Sequence, residues 1–179
     1  MSDAAATGER ASGAIAAMIR VDHAGEFGAV RIYDGQLAVL GDKPVGAMLR
    51  HMRMQEREHL ATFAGLLSER RVRPTALMPL WHIGGFALGA VTALLGETSA
   101  MACTEAVEDS VIEHYERQLA AMPKAEPALL ADIARIRDEE REHGDQAIDA
   151  GARRAPGYRF LYQAIRLGCR TAIRLSEKI

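Results

Sequence analysis

The tetrapeptide Glu-Arg-Glu-His occurs twice in the chain, at residues 56–59 and 140–143, a displacement of 84 residues (56 to 140). The apolar positions around it move with it. Val45, Leu49, Met52, Glu56, His59 and Phe63 step by three and four, and the same displacement lands on Leu129, Ile133, Ile136, Glu140, His143 and Ala147. Such steps trace one face of an α-helix, so in each copy a Glu and a His interrupt the face that a helical protein buries. A second repeat lies upstream at a displacement of 82 (26 to 108): Glu26, Tyr33, Gln36 and Leu37 become Glu108, Tyr115, Gln118 and Leu119, while Ile19 and Ala29 become Met101 and Val111. Two helical hairpins are implied, each with one Glu on its first helix and Glu-x-x-His on its second. Duplicated halves of this kind close into a four-helix bundle.

The remaining chain suits an all-α reading. Proline occurs only at positions 44, 74, 79, 123, 127 and 156, the segments between are rich in Ala, Leu, Arg and Glu, and no strand-like alternation appears. The first helix is expected from Gly13 to Leu40, with Ser12 as a cap and Gly41 as its stop. Pro44 then opens the second helix, which runs to Arg70. The third runs from Thr98 or Ser99 to Met122, the fourth from Pro127 to Ala150 with Gly151 beyond it, and an extra C-terminal helix follows Pro156. At 179 residues the chain makes one domain, residues 12–179, after a disordered tail at 1–11. That tail has neither the apolar core of a secretory signal nor the Arg-rich stretch of a transit peptide. With 22 Lys and Arg against 24 Asp and Glu, a net charge of −2, no positive field exists to hold nucleic acid. Two cysteines, Cys103 and Cys169, form no disulfide framework and suit a reducing compartment.

Chemistry follows from the spacing. Residues i and i+3 share a helix face, so Glu56 with His59, and Glu140 with His143, can reach one ion together. Four carboxylates in a bundle core, Glu26, Glu56, Glu108 and Glu140, carry −4, and two divalent cations carry +4. Buried charges without such compensation cost several kcal/mol each. Oxygen and imidazole donors without thiolate suit iron or manganese, and this is the ligand scheme of ferritin-like di-iron and di-manganese bundles. Glu58 and Glu142 lie two residues from their partners and point outward. Glu105 and Asp109 flank Glu108, but only Glu108 matches Glu26 under the repeat. Asp22 and Thr104, one turn before those glutamates, either hydrogen-bond the ligands or end the core. Tyr33 and Tyr115 either pack and hydrogen-bond or pass electrons and protons, and His114 reads as a packing or surface residue rather than a proton relay.

Residues 74–96 contain no Asp, Glu, Lys or Arg and are interrupted by Pro79, Gly84, Gly85 and Gly89. The stretch 76–95 has the length of a bilayer span, yet it joins two halves whose ligands must meet at one site. A bent segment lying on the bundle or in a membrane interface is therefore expected, with Trp81 at that interface; a buried crossover is the alternative. In the last helix Arg166, Arg170 and Arg174 line up beside Leu161, Ile165, Ala172 and Leu175, a stripe that faces either anionic headgroups or solvent.

The connecting segments are the most specific part of the chain. Val21-Asp-His-Ala-Gly-Glu-Phe-Gly-Ala29, Arg71-Val-Arg-Pro-Thr75, Met78-Pro-Leu-Trp81, Gly85-Phe-Ala-Leu-Gly89, Ala100-Met-Ala-Cys-Thr104 and Leu175-Ser-Glu177 resemble those of the demethoxyubiquinone hydroxylases of ubiquinone biosynthesis, from about Ile19 to the end. The resemblance implies a di-iron monooxygenase acting on a polyprenylated benzoquinone, with two iron ions held by Glu26, Glu56, His59, Glu108, Glu140 and His143. It also implies dioxygen, an external electron donor, a membrane surface and other ubiquinone-biosynthesis proteins as partners. With no dinucleotide fingerprint, P-loop or iron–sulfur ligand set, electrons come from a transient donor or from the quinone itself. The location expected is peripheral, on the cytoplasmic face of a bacterial inner membrane or the matrix face of a mitochondrial one. A ferritin- or rubrerythrin-like iron oxidase would use the same ligands, although rubrerythrins carry a C-x-x-C pair that is absent here. A metal-free membrane adaptor would not need the core carboxylates.

Overall fold

The structure, a computed structural model, describes residues 2–122 and 126–178, with side chains described from residue 13 onward. The side chains of the tail expected at 1–11 and of the expected Ser12 cap lie outside the described residues. Among the described residues six α-helices follow in order: α1 (Ser2–Leu40), α2 (Gly46–Glu69), α3 (Met78–Leu94), α4 (Glu97–Ala121), α5 (Pro127–Asp149) and α6 (Tyr158–Ser176), with one 3-10 turn at Ala152–Arg154. No strand occurs among the described residues. Helices α1 and α2 pack as one hairpin, α4 and α5 as the other, α3 lies along α1, and α6 lies along α4.

Two apolar clusters give the helices their direction. One contains Ile15, Ile19, Phe63, Leu67, Tyr115, Met122, Leu129, Ile133 and Ile136. The other contains Tyr33, Leu40, Leu49, Met52, Ala100, Met101 and Ala147. Helices α1 and α5 run from the first cluster to the second; α2 and α4 run the opposite way. Thus α2 ends at the end of the bundle opposite to that where α4 begins, and the connection must travel its whole length. The 17 residues of α3 rise about 25 Å, enough to make that crossing.

The crossover corrects the expectation of a bent segment. It is one unbroken helix with Pro79 in its first turn, where a missing N–H breaks no bond. Gly85 and Gly89 serve contact with α1 instead of bending: a Cβ at Gly89 would lie 1.9 Å from the Ile32 carbonyl oxygen, and one on Gly35 of α1 would lie 2.1 Å from that of Phe86. The buried-crossover alternative also fails in part, because Leu80, Ile83, Val91 and Leu94 are exposed along the outer face. Helix α2 begins at Gly46, two residues after Pro44, since Lys43 and Gly46 close a tight turn onto Leu40 and Lys43. Gly151, at φ 101°, terminates α5 as expected. No described helix is long and apolar enough to cross a membrane.

Candidate metal centre

Between the two apolar clusters the helices bring together all six residues named from the repeat. Glu26 (α1), Glu56 and His59 (α2), Glu108 (α4), and Glu140 and His143 (α5) are each at most 2% exposed. Their donor atoms form two overlapping groups, each within 4.8 Å: Glu26, Glu56, His59 and Glu140 in one, and Glu56, Glu108, Glu140 and His143 in the other. Glu56 and Glu140 belong to both. Each group adds one further Glu and one His.

The imidazoles are oriented alike. His59 Nδ1 lies 3.0 Å from Glu140 Oε1 and 3.5 Å from Glu26 Oε2; His143 Nδ1 lies 3.0 Å from Glu140 Oε2 and 3.2 Å from Glu56 Oε1. Both rings therefore aim Nδ1 inward. Their Nε2 atoms point outward across the bundle, His59 to Glu139 Oε2 at 2.6 Å and His143 to Gln55 Oε1 at 3.1 Å. The terminal glutamates are held by the repeated tyrosines in a reciprocal exchange. Tyr33 on α1 donates to Glu108 Oε1 at 2.7 Å, and Tyr115 on α4 donates to Glu26 Oε1.

Electrostatics inside the cluster are unresolved by protein groups alone. Burial, together with the charges of neighbouring glutamates, raises Glu56 and Glu108 well above the usual carboxylate range, and burial also raises Glu26. Glu140 goes the other way: burial opposes its ionisation, but the His143 and His59 rings beside it prevail and hold it at about 2. Burial likewise opposes a charged His59, yet Glu140 and Glu26 push it up to about 11. Six inward atoms find no hydrogen-bond partner: Glu26 Oε2, both oxygens of Glu56, His59 Nδ1, Glu108 Oε2 and Glu140 Oε1. Buried polar atoms are ordinarily paired, and a set of lone-pair donors converging on common points is what divalent cations require. The cluster can hold metal.

Glu58 and Glu142 are exposed, as their spacing predicts. Glu105 and Asp109 have other partners: Glu105 is buried against Arg153 Nε at 2.9 Å, and Asp109 accepts from Tyr162. Asp22 and Thr104 correct the idea that they bond the cluster. Asp22 Oδ1 accepts from Gln118 at 2.7 Å and lies 3.0 Å from His114 Nε2, while Thr104 accepts from Gln36 at 3.2 Å. His114 is thus a buried partner of Asp22. The arginine stripe is only partly free, since Arg166 and Arg170 both donate to Glu113; Arg174 remains exposed. Gln55 and Glu139 are the site residues that sequence reasoning missed. A signal existed: they precede the repeated glutamates and match one another at the 84-residue displacement (55 to 139).

Residues 13–176 match the family described as ubiquinone biosynthesis protein COQ7. The chain is 52% identical over 170 residues to the human protein named NADPH-dependent 3-demethoxyubiquinone 3-hydroxylase, mitochondrial, covering 93% of this chain and 78% of the relative. It is 53% identical over 162 residues to the 3-demethoxyubiquinol 3-hydroxylase of Rhodospirillum rubrum, covering 90% and 76% respectively. To the 5-demethoxyubiquinone hydroxylase, mitochondrial, of Saccharomyces cerevisiae it is 42% identical over 182 residues, covering 90% and 77%. A match that takes in every helix and both halves of the buried Glu/His cluster places the whole domain, so the chain belongs to the ubiquinone biosynthesis protein COQ7 family.

Proposed function

We propose that this chain is an oxygen-dependent monooxygenase that hydroxylates the ring of demethoxyubiquinone, with two iron ions held by Glu26, Glu56, His59, Glu108, Glu140 and His143. The observation that carries the reading is the pair of overlapping donor groups sharing Glu56 and Glu140. One ion would be held by Glu26, Glu56, His59 and Glu140 and the other by Glu56, Glu108, Glu140 and His143. When bound, ferrous iron supplies the electrons with which dioxygen is activated. The names of the relatives supply the substrate class.

The protein's own residues set the conditions. With a cation in place of the Nδ1 proton, His59 and His143 would present the Nδ1 lone pair inward, while Glu139 and Gln55 accept from Nε2–H and hold the rings in that orientation. Tyr33 and Tyr115 fix the terminal carboxylates and turn their free oxygens inward. The apolar layers above and below, from Met52 and Met101 on one side to Phe63 and Ile136 on the other, exclude water from the reacting centre. Outside the bundle, the exposed Leu80, Ile83, Val91 and Leu94 of α3 suit peripheral contact with the lipid that carries a polyprenylated quinone. That surface belongs to the cytoplasmic face of a bacterial inner membrane or the matrix face of a mitochondrial one. Reductant comes from outside the chain; the name of the human relative points to a nicotinamide donor.

The test is product formation. Iron-loaded protein given reductant, dioxygen and demethoxyubiquinone should yield the ring-hydroxylated quinone, and Glu108→Ala should bind less iron and yield none. Oxygen consumption unchanged by the quinone, with only oxidised iron accumulating, would defeat the hydroxylase reading.

A further inference from the structure

The repeat makes the cluster nearly two-fold symmetric. The terminal glutamates correspond (Glu26 and Glu108), as do their tyrosine donors (Tyr115 and Tyr33), and both halves share Glu56 and Glu140. The symmetry fails at the outer nitrogens of the histidines. His59 Nε2 meets a carboxylate, Glu139, at 2.6 Å, whereas His143 Nε2 meets a neutral amide, Gln55, at 3.1 Å. Glu139 is itself anchored, with Arg135 Nη1 2.9 Å from both of its oxygens. The residue at the equivalent place before Gln55 is His51, which is exposed. Asp22 against Thr104 is a second difference, but Asp22 is bonded to His114 and Gln118 rather than to a member of the cluster.

We infer that Glu139 is a positioning residue for His59 that makes the two metal positions unequal, so that the Glu26–His59 half binds its ion first and more tightly. The inference rests on the metal reading proposed above. A hydrogen bond from an imidazole N–H to a carboxylate is shorter and about twice as strong as one to a neutral acceptor. It draws positive charge toward Nε2 and makes Nδ1 a better donor, and loss of such an outer partner typically lowers metal affinity about 10–100-fold. An amide oxygen holds the ring of His143 in the same tautomer but does this less strongly. Arg135 is about half exposed (48%), so water screens its charge and leaves the carboxylate dominant at the ring.

Anaerobic titration of the metal-free full chain with ferrous iron, in competition with a chromophoric chelator, reads both affinities and the stoichiometry. Wild-type protein should take up two ions in steps separated by about tenfold or more. Glu139→Gln, close to the original in size, should weaken the first step about 10–100-fold and leave the second within about threefold. Gln55→Glu should tighten the second step, and the double exchange should restore a gap between the two. Two equal steps in the wild type, or a Glu139→Gln protein whose two affinities are unchanged or equally weakened, would overturn the inference while two bound ions uphold the metal site. No stoichiometric iron in the wild type would sink the metal reading itself.

Discussion

Glu56 is the residue whose replacement should separate stability from function. Both of its oxygens are buried without a hydrogen-bond partner, and burial together with Glu140, Glu108 and Glu26 raises its pKa well above 4.5. An acid whose pKa is raised by folding binds more protons in the native state than in the unfolded one, so its contribution to stability is complete below about pH 4.5 and is lost as pH rises. Glu108 and Glu26 act in the same direction. His59, raised to about 11, also adds stability that is fully present below its unfolded value of 6.5 and fades as pH climbs. Glu140, held at about 2, has the opposite sign, but its contribution is already complete above its unfolded value of 4.5. Metal-free protein should therefore lose stability between pH 5 and pH 8. Glu56→Gln removes one charge and adds an amide that can donate to a neighbouring carboxylate. Unmet hydrogen bonding by a buried polar group costs about 1–3 kcal/mol, so a gain of about 2 kcal/mol is expected at pH 8. At about 2–4 °C per kcal/mol for a chain of this size, the melting temperature should rise about 4–8 °C. At pH 5 the gain should shrink toward zero. Iron should reverse the order, because ligand at 100 times its dissociation constant stabilises the wild type by about 2.7 kcal/mol and the variant lacks a shared carboxylate. Calorimetry of chelator-treated and iron-loaded proteins at both pH values measures all of this. A metal-free variant that melts below the wild type at pH 8, or a metal-free wild type that gains stability from pH 5 to pH 8, would refute the reasoning.

Three further outcomes are expected. Gly89→Ala should destabilise the protein by about 1–3 kcal/mol through overpacking against α1, since its Cβ would meet the Ile32 carbonyl at 1.9 Å; Gly84→Ala, with no atom within 4 Å, should be neutral or stabilise α3 by up to about 1 kcal/mol, both read from urea midpoints. Glu58→Ala and Glu142→Ala should stay within about 0.5 kcal/mol of the wild type and keep full iron content by metal analysis. Ile83→Glu with Leu94→Glu, on the exposed face of α3, should abolish co-flotation with phospholipid vesicles at high salt, where the arginine contribution is screened; unchanged flotation would remove α3 from the lipid contact.

The four-helix core and the six cluster residues were legible because a duplication shows the same unusual exchange twice: polar residues on an apolar stripe cost too much to recur without a purpose. Glu26 and Glu108 alone would have been harder to separate from Glu105 and Asp109. What the sequence hid was mostly non-local. The glycines of residues 84–89 look like breaks until α1 is set against them, and only then do Gly85 and Gly89 read as close-approach positions. Glu113 lies more than 50 residues from Arg166 and Arg170, so nothing near the arginine stripe announced that two of its charges were taken. Gln55 and Glu139 sit just off the buried face, one residue before each shared glutamate, where periodicity treats them as rim residues. His114 and Asp22 meet across α1 and α4 through a pairing 92 residues apart, beyond the reach of helix spacing.

The most direct measurement follows the oxygen atom. Iron-loaded protein, a reductant and demethoxyubiquinone under isotopically labelled dioxygen should give a ring-hydroxylated quinone carrying one labelled oxygen, seen by mass spectrometry and lost in the Glu108→Ala protein. Label entering from water instead, or equal product from protein stripped of metal, would contradict an oxygen-activating centre built on these six residues.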